Sequence, residues 1–134
     1  MQNLITALVI AAAAFQTSPR SQPVLVKSVV DGRTIVIAPR GRVRLAGVDT
    51  PSPAAREKLS SLLINRWVHL ESDGGARGMY VLTGDGQCAN VVIVREGLAR
   101  VSTREPLARL SELLRAESEA KSARRGVWSN MKKP

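Results

Sequence analysis

Along the chain, the spacing of hydrophobic and polar residues changes from alternation to helical periodicity and back. β-Branched and apolar residues fill 24–30, and Asp31-Gly32 separates them from a similar run at 33–38. Asp-Gly between two such runs predicts a β-hairpin. Charged and apolar residues then alternate over 42–48, as in a strand with one face in water. Short turns join the three runs, so they predict a three-stranded meander.

A helix is predicted after this meander, because Ser52 can cap it and Pro53 suits its first turn. Its apolar residues recur at helical spacing and are Ala55, Leu59, Leu62 and Leu63. Two further alternating stretches, at 67–71 and 79–83, predict a fourth and a fifth strand. Strands therefore flank the first helix on both sides.

The remaining segments are predicted to be helices. Residues 91–94 are β-branched, yet Asn90 could cap a helix and Gly97 could end it, so we assign a short helix over 90–97. A longer helix is predicted over 107–125, which lacks Pro and Gly. Its apolar stripe is predicted to be Leu107, Leu110, Leu114 and Lys121, with Leu113 and Ala120 beside it. Five strands with helices after the third and fifth predict a mainly β domain with an OB-fold barrel.

The N-terminal segment has a different character. Residues 4–15 are an apolar run of 12 residues, shorter than the roughly 20 that a membrane-spanning helix needs. Such a run, in which the small residues 11–14 offer a cleavage context, is typical of a secretory signal, although no Lys or Arg precedes it. We expect a signal-like segment and linker at 1–22, one domain at 23–130 and a basic tail at 131–134. The expected location is secreted, periplasmic or in the cell envelope; the alternative is a buried N-terminal helix.

Composition narrows the classes of function. The 134 residues include 20 Lys and Arg against 11 Asp and Glu, a formal net charge of +9, and 44% hydrophobic residues exclude a disordered chain. A lone Cys88 and a lone His69 exclude disulfide frameworks and Cys- or His-rich metal centres. Four aromatic residues argue against a broad base-stacking surface: Phe15, Trp67, Tyr80 and Trp128. Of these, Trp128 is expected to pack the last helix against the barrel.

Five motifs, in this order and spacing, carry a resemblance to a known family. They are VVDGRTIVI (29–37), RLAGVDTP (44–51), ARGMYVL (76–82), VREGLARV (94–101) and GVW (126–128). With them, the chain after the N-terminal segment resembles the staphylococcal nuclease-like, or thermonuclease, family. The resemblance implies an OB-fold with three helices. It also implies calcium-dependent cleavage of phosphodiesters in DNA and RNA.

The resemblance implies roles for four residues. Arg44 falls at the first phosphate-binding arginine and Arg77 at the second, the catalytic cations that neutralise charge on the phosphoryl group. Asp49 and the main-chain carbonyl of Thr50 fall at one half of the calcium site. Part of the family's catalytic set is therefore present.

Other positions depart from the family pattern at the centre of the mechanism. Arg33 stands where the family has a second metal carboxylate, Ser52 where it has the Glu that activates water, and Gly75 where it has a Tyr. The first two changes raise the formal charge of the site by 3 relative to the family pattern. One carboxylate and one carbonyl cannot supply the six to eight oxygens that calcium takes. We therefore expect no metal site, no cofactor and no calcium-dependent cleavage.

Three functions remain open at this point. The first is a metal-free binding module in which Arg33, Arg44 and Arg77 form one pocket for nucleic acid or another phosphate-bearing polyanion. The second is a weakly active phosphodiesterase, and the third is a non-enzymatic protein-interaction domain of the cell envelope. We favour the first and expect a monomer without a membrane span.

The same residues also have simpler structural interpretations. Arg33 could pair with Asp49 as an ordinary surface ion pair. Arg44 and Arg77 could each pair with Glu71 or Asp73. These pairings would leave less positive charge available for a ligand.

Overall fold

The computed structural model of the protein describes residues 21–39, 41–73, 78–102 and 108–130. Most of the predicted N-terminal segment and the predicted basic tail lie outside these residues. The elements are, in order, β1 Val24–Asp31, β2 Thr34–Ala38, β3 Gly41–Arg44, β4 Val48–Asp49, α1 Pro53–Leu63, β5 Trp67–Ser72, β6 Met79–Leu82, α2 Ala89–Arg95, β7 Arg100–Val101, α3 Leu110–Ala123 and a 3-10 turn at Gly126–Trp128. No helix among the described residues is long and apolar enough to cross a membrane.

Five strands form an antiparallel sheet in the order β3-β2-β1-β5-β6, and β4 pairs with β7 separately. The predicted hairpin at Asp31-Gly32 is confirmed, since β1 and β2 pair on either side of it. A parallel bridge between Leu45 and Met79 joins the ends of the edge strands β3 and β6, and the Ala46 N–H donates to the Met79 carbonyl at 2.9 Å. The five-stranded sheet and three helices confirm the predicted OB-fold class.

The predicted third strand is shorter than the alternation at 42–48 indicated. β3 ends at Arg44, and the chain turns through the buried residues Ala46 and Gly47 before β4. Gly47 has a φ of +76°, a conformation that glycine adopts at little cost and other residues avoid. The break therefore contains a glycine in a left-handed conformation, which the alternation of side chains does not reveal.

The core lies between the inner face of the sheet and helices α1 and α2. The predicted face of α1 is confirmed, since Ala55, Leu59 and Leu63 are buried. All five strands of the sheet contribute apolar side chains to the core: Val26, Val29, Ile35, Ile37, Val43, Val68, Leu70 and Val81. On β2 and β5 the residues that alternate with these core positions are partly buried or exposed, as the period of two predicts.

Helix α2 forms where the sequence predicted it, but the predicted cap is wrong. The N-cap is Cys88, and Asn90 lies inside the helix with no exposed surface. The Asn90 side chain accepts the Val81 N–H at 3.0 Å and donates to the carbonyls of Ala46 at 2.8 Å and Met79 at 3.1 Å. All of these groups are buried or partly buried, so the amide satisfies polar groups that would otherwise lack partners. Asn90 thus ties α2 to β6 and to the segment after β3.

Helix α3 is shorter than the predicted 107–125. Its predicted stripe is wrong at Leu114 and Lys121, whereas Leu113 and Ala120, predicted beside the stripe, are buried, and Leu107 lies outside the described residues. The helix buries Leu113, Ala116 and Ala120, whereas Leu114 is 43% exposed and Lys121 is exposed. Small alanines let α3 pack closely against α2, so the face that carries them turns inward. The prediction gave weight to leucine spacing and too little to alanine.

The end of the described chain closes over the loop between α2 and β7. Trp128 is buried, with the Arg100 guanidinium and the Lys121 ammonium each 4.8 Å from its ring centroid, which confirms its predicted packing role. The Val127 N–H donates to the Gly97 carbonyl at 2.8 Å. A Cβ on Gly97 would lie 2.2 Å from the Arg125 carbonyl oxygen. The two segments touch closely enough that a side chain could not be inserted between them.

Candidate functional site

The turn between β1 and β2 is packed tightly against the start of α1. A Cβ placed on Gly32 would lie 2.5 Å from the Cβ of Pro51 and 2.7 Å from that of Ala55. The Leu45 N–H donates to the Arg33 carbonyl at 2.8 Å, which fixes the turn to the end of β3 as well. Arg33 is therefore held at the junction of β3, the segment after β4 and α1.

Arg33 lies beside Asp49, as the simpler structural interpretation predicted. Its Nη1 is 3.6 Å from the Asp49 Oδ1, and the two side chains are 35% and 38% exposed. The same oxygen accepts the Thr50 N–H at 2.9 Å, and Thr50 has a φ of +46°. A long, partly exposed ion pair of this kind contributes little to stability, about 0–1 kcal/mol. The guanidinium is therefore held only weakly.

Ser52 starts α1, as predicted, without making the predicted side-chain cap. It is the N-cap residue, but its side chain makes no capping hydrogen bond. Its Oγ is buried and finds no hydrogen-bond partner among the described residues. Its N–H donates to the Leu98 carbonyl at 2.8 Å. Ser52 joins the helix start to the loop after α2 through its backbone.

Arg44 ends β3 with its side chain exposed to solvent, opposite Thr34 of β2. The predicted alternative, an ion pair with Glu71 or Asp73, is not formed among the described residues. Glu71 instead binds Arg109, and the Asp73 carboxylate accepts hydrogen bonds from other groups. Within the same part of the chain, Arg44 has no acidic partner, so its guanidinium is available for a ligand.

A cluster that sequence reasoning missed binds β5 and β6 to the start of α3. We call it the hairpin clamp; its members are Glu71, Asp73, Tyr80, Arg109 and Glu112. Arg109 donates to both oxygens of Glu71, at 2.7 and 3.0 Å, and also to Glu112 at 2.9 Å. Two parallel bonds from one guanidinium to one carboxylate are stronger and more directional than a single contact.

Tyr80 forms the buried half of the hairpin clamp. Its hydroxyl donates to the Asp73 Oδ1 at 2.6 Å and accepts the Arg109 N–H at 3.1 Å. The same Asp73 oxygen accepts the Ala108 N–H at 2.7 Å. Burial, reinforced by the bond to Asp73, raises the pKa of Tyr80 above its usual range. No sequence motif marks this cluster, because it joins residues about 30 positions apart.

Arg77 and Gly75 lie outside the described residues, so the convergence of Arg77 with Arg33 and Arg44 stays a prediction. The residue after Arg77 can be located. A Cβ on Gly78 would lie 2.8 Å from the Ala46 Cα, two positions beyond Arg44. The strand that follows Arg77 thus starts directly beside the strand that carries Arg44.

The sequence of this chain matches known proteins over most of its length. A sequence model described as "Staphylococcal nuclease homologue" matches residues 42–130, from β3 to the last described residue. The chain belongs to the staphylococcal nuclease family. A thermonuclease from Staphylococcus intermedius is 35% identical to it, in a match that covers 84% of this chain and 79% of the relative. The family predicted from the motifs is confirmed.

Calcium, which the staphylococcal nuclease family uses, does not fit the residues described here. Among residues 21–39, 41–73, 78–102 and 108–130, no group of three or more His, Cys, Asp or Glu could hold a metal. The Asp49 Oδ1 is already shared between the Arg33 guanidinium and the Thr50 N–H. Calcium takes six to eight oxygens, and the Arg33 guanidinium, 3.6 Å from the Asp49 carboxylate, would repel it. No catalytic step through calcium can be derived from this site.

Proposed function

We propose that this domain binds nucleic acid or another phosphate-bearing polyanion and does not cleave it by calcium-dependent chemistry. One observation carries the proposal: the Arg33 guanidinium lies 3.6 Å from the Asp49 carboxylate. By the family resemblance, Arg33 stands at the position of a metal-binding acid. A site that attracted a cation in the family therefore attracts an anion in this chain.

Two described arginines are available to such a ligand. Arg33 is partly exposed and bound only through the long pair with Asp49, so a phosphate could replace this carboxylate at little cost. Arg44 is exposed and has no acidic partner among the described residues. Guanidinium groups bind phosphate through two parallel hydrogen bonds. By resemblance, Arg77 would supply a third, and the net charge of +9 would favour the encounter.

Hydrolysis would need a group that activates water, and Ser52 is a poor one. A general base needs a pKa near the working pH and hydrogen-bond access to the water. A serine hydroxyl has no such pKa, and the Ser52 Oγ is buried. This favours the binding module over the weakly active phosphodiesterase.

A binding titration at several salt concentrations tests the proposal. For the wild type, log K for DNA should fall with log salt, by roughly 0.7–0.9 per phosphate contact. Arg44→Ala should weaken binding for all sequences and reduce the slope by about one. Arg115→Ala removes an exposed arginine from α3 and should change the slope much less. Equal effects of the two substitutions, or none, would place the polyanion elsewhere, and absence of binding would favour the protein-interaction alternative.

Restoring the family's acids tests the loss of catalysis. Arg33→Asp with Ser52→Glu should create a calcium site measurable by calorimetry, because it returns both missing carboxylates beside Asp49. Arg33→Asp alone should improve calcium binding without much cleavage, since the base is still missing. Thermal melting checks that each variant folds. Strong calcium-dependent DNA cleavage by the unmodified protein would contradict the proposal and favour the phosphodiesterase.

We also propose that the chain is exported and cut between about Ala14 and Gln22. The support is the apolar run at 4–15, which is too short to span a membrane and is followed by small and polar residues. N-terminal sequencing of secreted material checks this. Intact Met1 on soluble cytoplasmic protein would contradict it.

A further inference from the structure

Trp67 is a large aromatic side chain with 63% of its surface exposed. It begins β5, where its neighbour Val68 is buried in the core, so the indole lies on the outer face of the sheet. The other tryptophan, Trp128, is 9% exposed. Packing of the domain explains Trp128 but not Trp67, because an indole left in water gains nothing for the fold.

The register of the sheet places an apolar row beside Trp67. Trp67 pairs with Leu25 of β1, and Leu25 pairs with Ala38 of β2. Paired residues of an antiparallel sheet lie on one face. Three strands therefore contribute to an apolar strip that ends at the exposed indole.

The next rows of the same face carry positive charge. Val36 lies two positions before Ala38 and pairs with Arg42, which is exposed. A register shift in β1 between Val26 and Ser28 leaves Lys27 exposed opposite the same region. Arg44 lies one outward position beyond Arg42 on β3. We call the surface formed by Leu25, Lys27, Val36, Arg42, Arg44 and Trp67 the sheet face.

Acidic residues do not balance this charge among the described residues. Lys27, Arg42 and Arg44 make no ion pair there. Of the acids on β1 and β5, Asp31 lies at the far end of its strand and accepts the Arg33 N–H, and Glu71 is held by Arg109. Neighbouring strands are about 4.8 Å apart and the rows of Arg42 and Trp67 are two residues apart along β2, so the two residues lie roughly 16 Å apart on this face. A short chain of linked anionic groups can span that distance.

We propose that the sheet face binds single-stranded nucleic acid, with a base stacked on Trp67 and the backbone running past Lys27 and Arg42 to Arg44. The proposal rests on the proposed function and names the ligand class of that site. A polyphosphate has no ring to stack on Trp67, and a duplex hides the faces of its bases. One exposed indole accommodates one or two bases, so the site is short and is not a broad stacking surface.

Tryptophan fluorescence of the full chain provides the test, because Trp67 is the exposed tryptophan and Trp128 is buried. Titration with oligothymidylate should quench the emission, and inorganic polyphosphate should bind without quenching. Substitution of Trp67 removes this signal, so the affinities of the variants are measured from the anisotropy of labelled ligands. Trp67→Ala should weaken oligothymidylate binding by roughly five- to hundredfold, the effect of losing one stacked base. Polyphosphate binding should not change. Trp67→Phe should retain part of the affinity, since Phe also stacks.

Leu114→Ala removes a 43% exposed apolar side chain from α3 and is the matched control. It should change the affinity for neither ligand. The arms separate this inference from the proposed function. If Arg44→Ala weakens the binding of both oligothymidylate and polyphosphate while Trp67→Ala weakens the binding of neither, the proposed function stands and the sheet-face inference is wrong. If the wild type binds neither ligand, the proposed function fails. The inference is also wrong if a DNA duplex of equal charge binds as tightly as oligothymidylate without quenching the tryptophan emission.

Discussion

Two arginine–carboxylate clusters in this domain use the same residue types for opposite purposes. In the hairpin clamp, Arg109 and Glu71 meet at 2.7 Å with side chains 22% and 14% exposed. At the β1–β2 turn, Arg33 and Asp49 are 3.6 Å apart with side chains 35% and 38% exposed. The clamp satisfies its charges internally, whereas the turn leaves them accessible. The arginine that is paired internally and the arginine proposed to bind a ligand therefore differ in burial and geometry, which residue type alone does not show.

The physical basis of the difference is the number of partners. Arg109 binds two carboxylates and lies 5.6 Å from the ring centroid of Tyr80, and its hydrogen bonds to Glu71 raise its pKa further above the ordinary value. Asp49 divides one oxygen between Arg33 and the Thr50 N–H. A ligand that competes for Arg33 therefore breaks one weak contact, but one that competed for Arg109 would dismantle the clamp.

The largest expected contrast is between Arg109→Ala and Arg33→Ala. Removing Arg109 leaves Glu71 partly buried without its cation and should lower the free energy of unfolding by about 2–4 kcal/mol. Removing Arg33 should lower it by less than about 1 kcal/mol. Urea denaturation of both variants measures the difference. Similar losses would mean that the turn is as structural as the clamp.

Gly32→Ala tests whether tight packing, rather than the ion pair, positions Arg33. The new Cβ would lie 2.5 Å from the Pro51 Cβ, so the turn must shift, and we expect a loss of about 1–3 kcal/mol. Polyanion binding should fall with it, because Arg33 moves away from its site. Gly84→Ala is the control, since a Cβ there meets nothing within 4 Å. Equal stability of the two variants would show that the turn can relax without cost.

Tyr80→Phe probes the buried half of the clamp and should cost about 1–2 kcal/mol, the value of its hydroxyl bonds. The pKa of Tyr80 is raised in the folded state, so the unfolded chain releases this proton first. The contribution of Tyr80 is complete below the ordinary phenol pKa of about 10 and is lost as pH rises above it. Unfolding measured from pH 8 to 11 should therefore show a steeper alkaline loss in the wild type than in Tyr80→Phe. Parallel curves would contradict the assignment.

The smallest expected effect concerns salt. At 1 M salt the screening length is about 3 Å, so the small stability difference caused by Arg33→Ala should disappear. The loss caused by Arg109→Ala should persist, because the side chains of the Arg109–Glu71 pair are only 22% and 14% exposed. Repeating the urea measurements in low and high salt checks both variants. A salt-resistant Arg33 effect would indicate a stronger pair than the 3.6 Å distance suggests.

Local sequence patterns predicted most of the fold, because hydrophobic periodicity reports directly on which side chains face the core. The Asp31-Gly32 hairpin and the buried face of α1 are examples. The errors arose where long-range contacts decide. Asn90 is buried because carbonyls from two other segments meet its amide, and the inward face of α3 follows from the small size of Ala116 and Ala120.

The candidate site was only partly predictable for a related reason. The motifs marked Arg33, Arg44 and Asp49 as candidates, because these residues lie in the segments that resemble the family. They gave no sign of the hairpin clamp, whose members are brought together by the fold. Nor did they show that Trp67 is exposed, since strand alternation alone does not say which residues at a sheet surface remain uncovered.

The contact between Gly97 and the turn at Gly126–Trp128 has a consequence for folding during synthesis. The loop that contains Gly97 is made well before its partner, yet its carbonyl accepts the Val127 N–H and its backbone touches Arg125. Trp128, which fills the space between β7 and α3, emerges later than every other described element. A nascent chain can form the β1–β2 hairpin early, but it cannot complete its packing until this last turn has been translated.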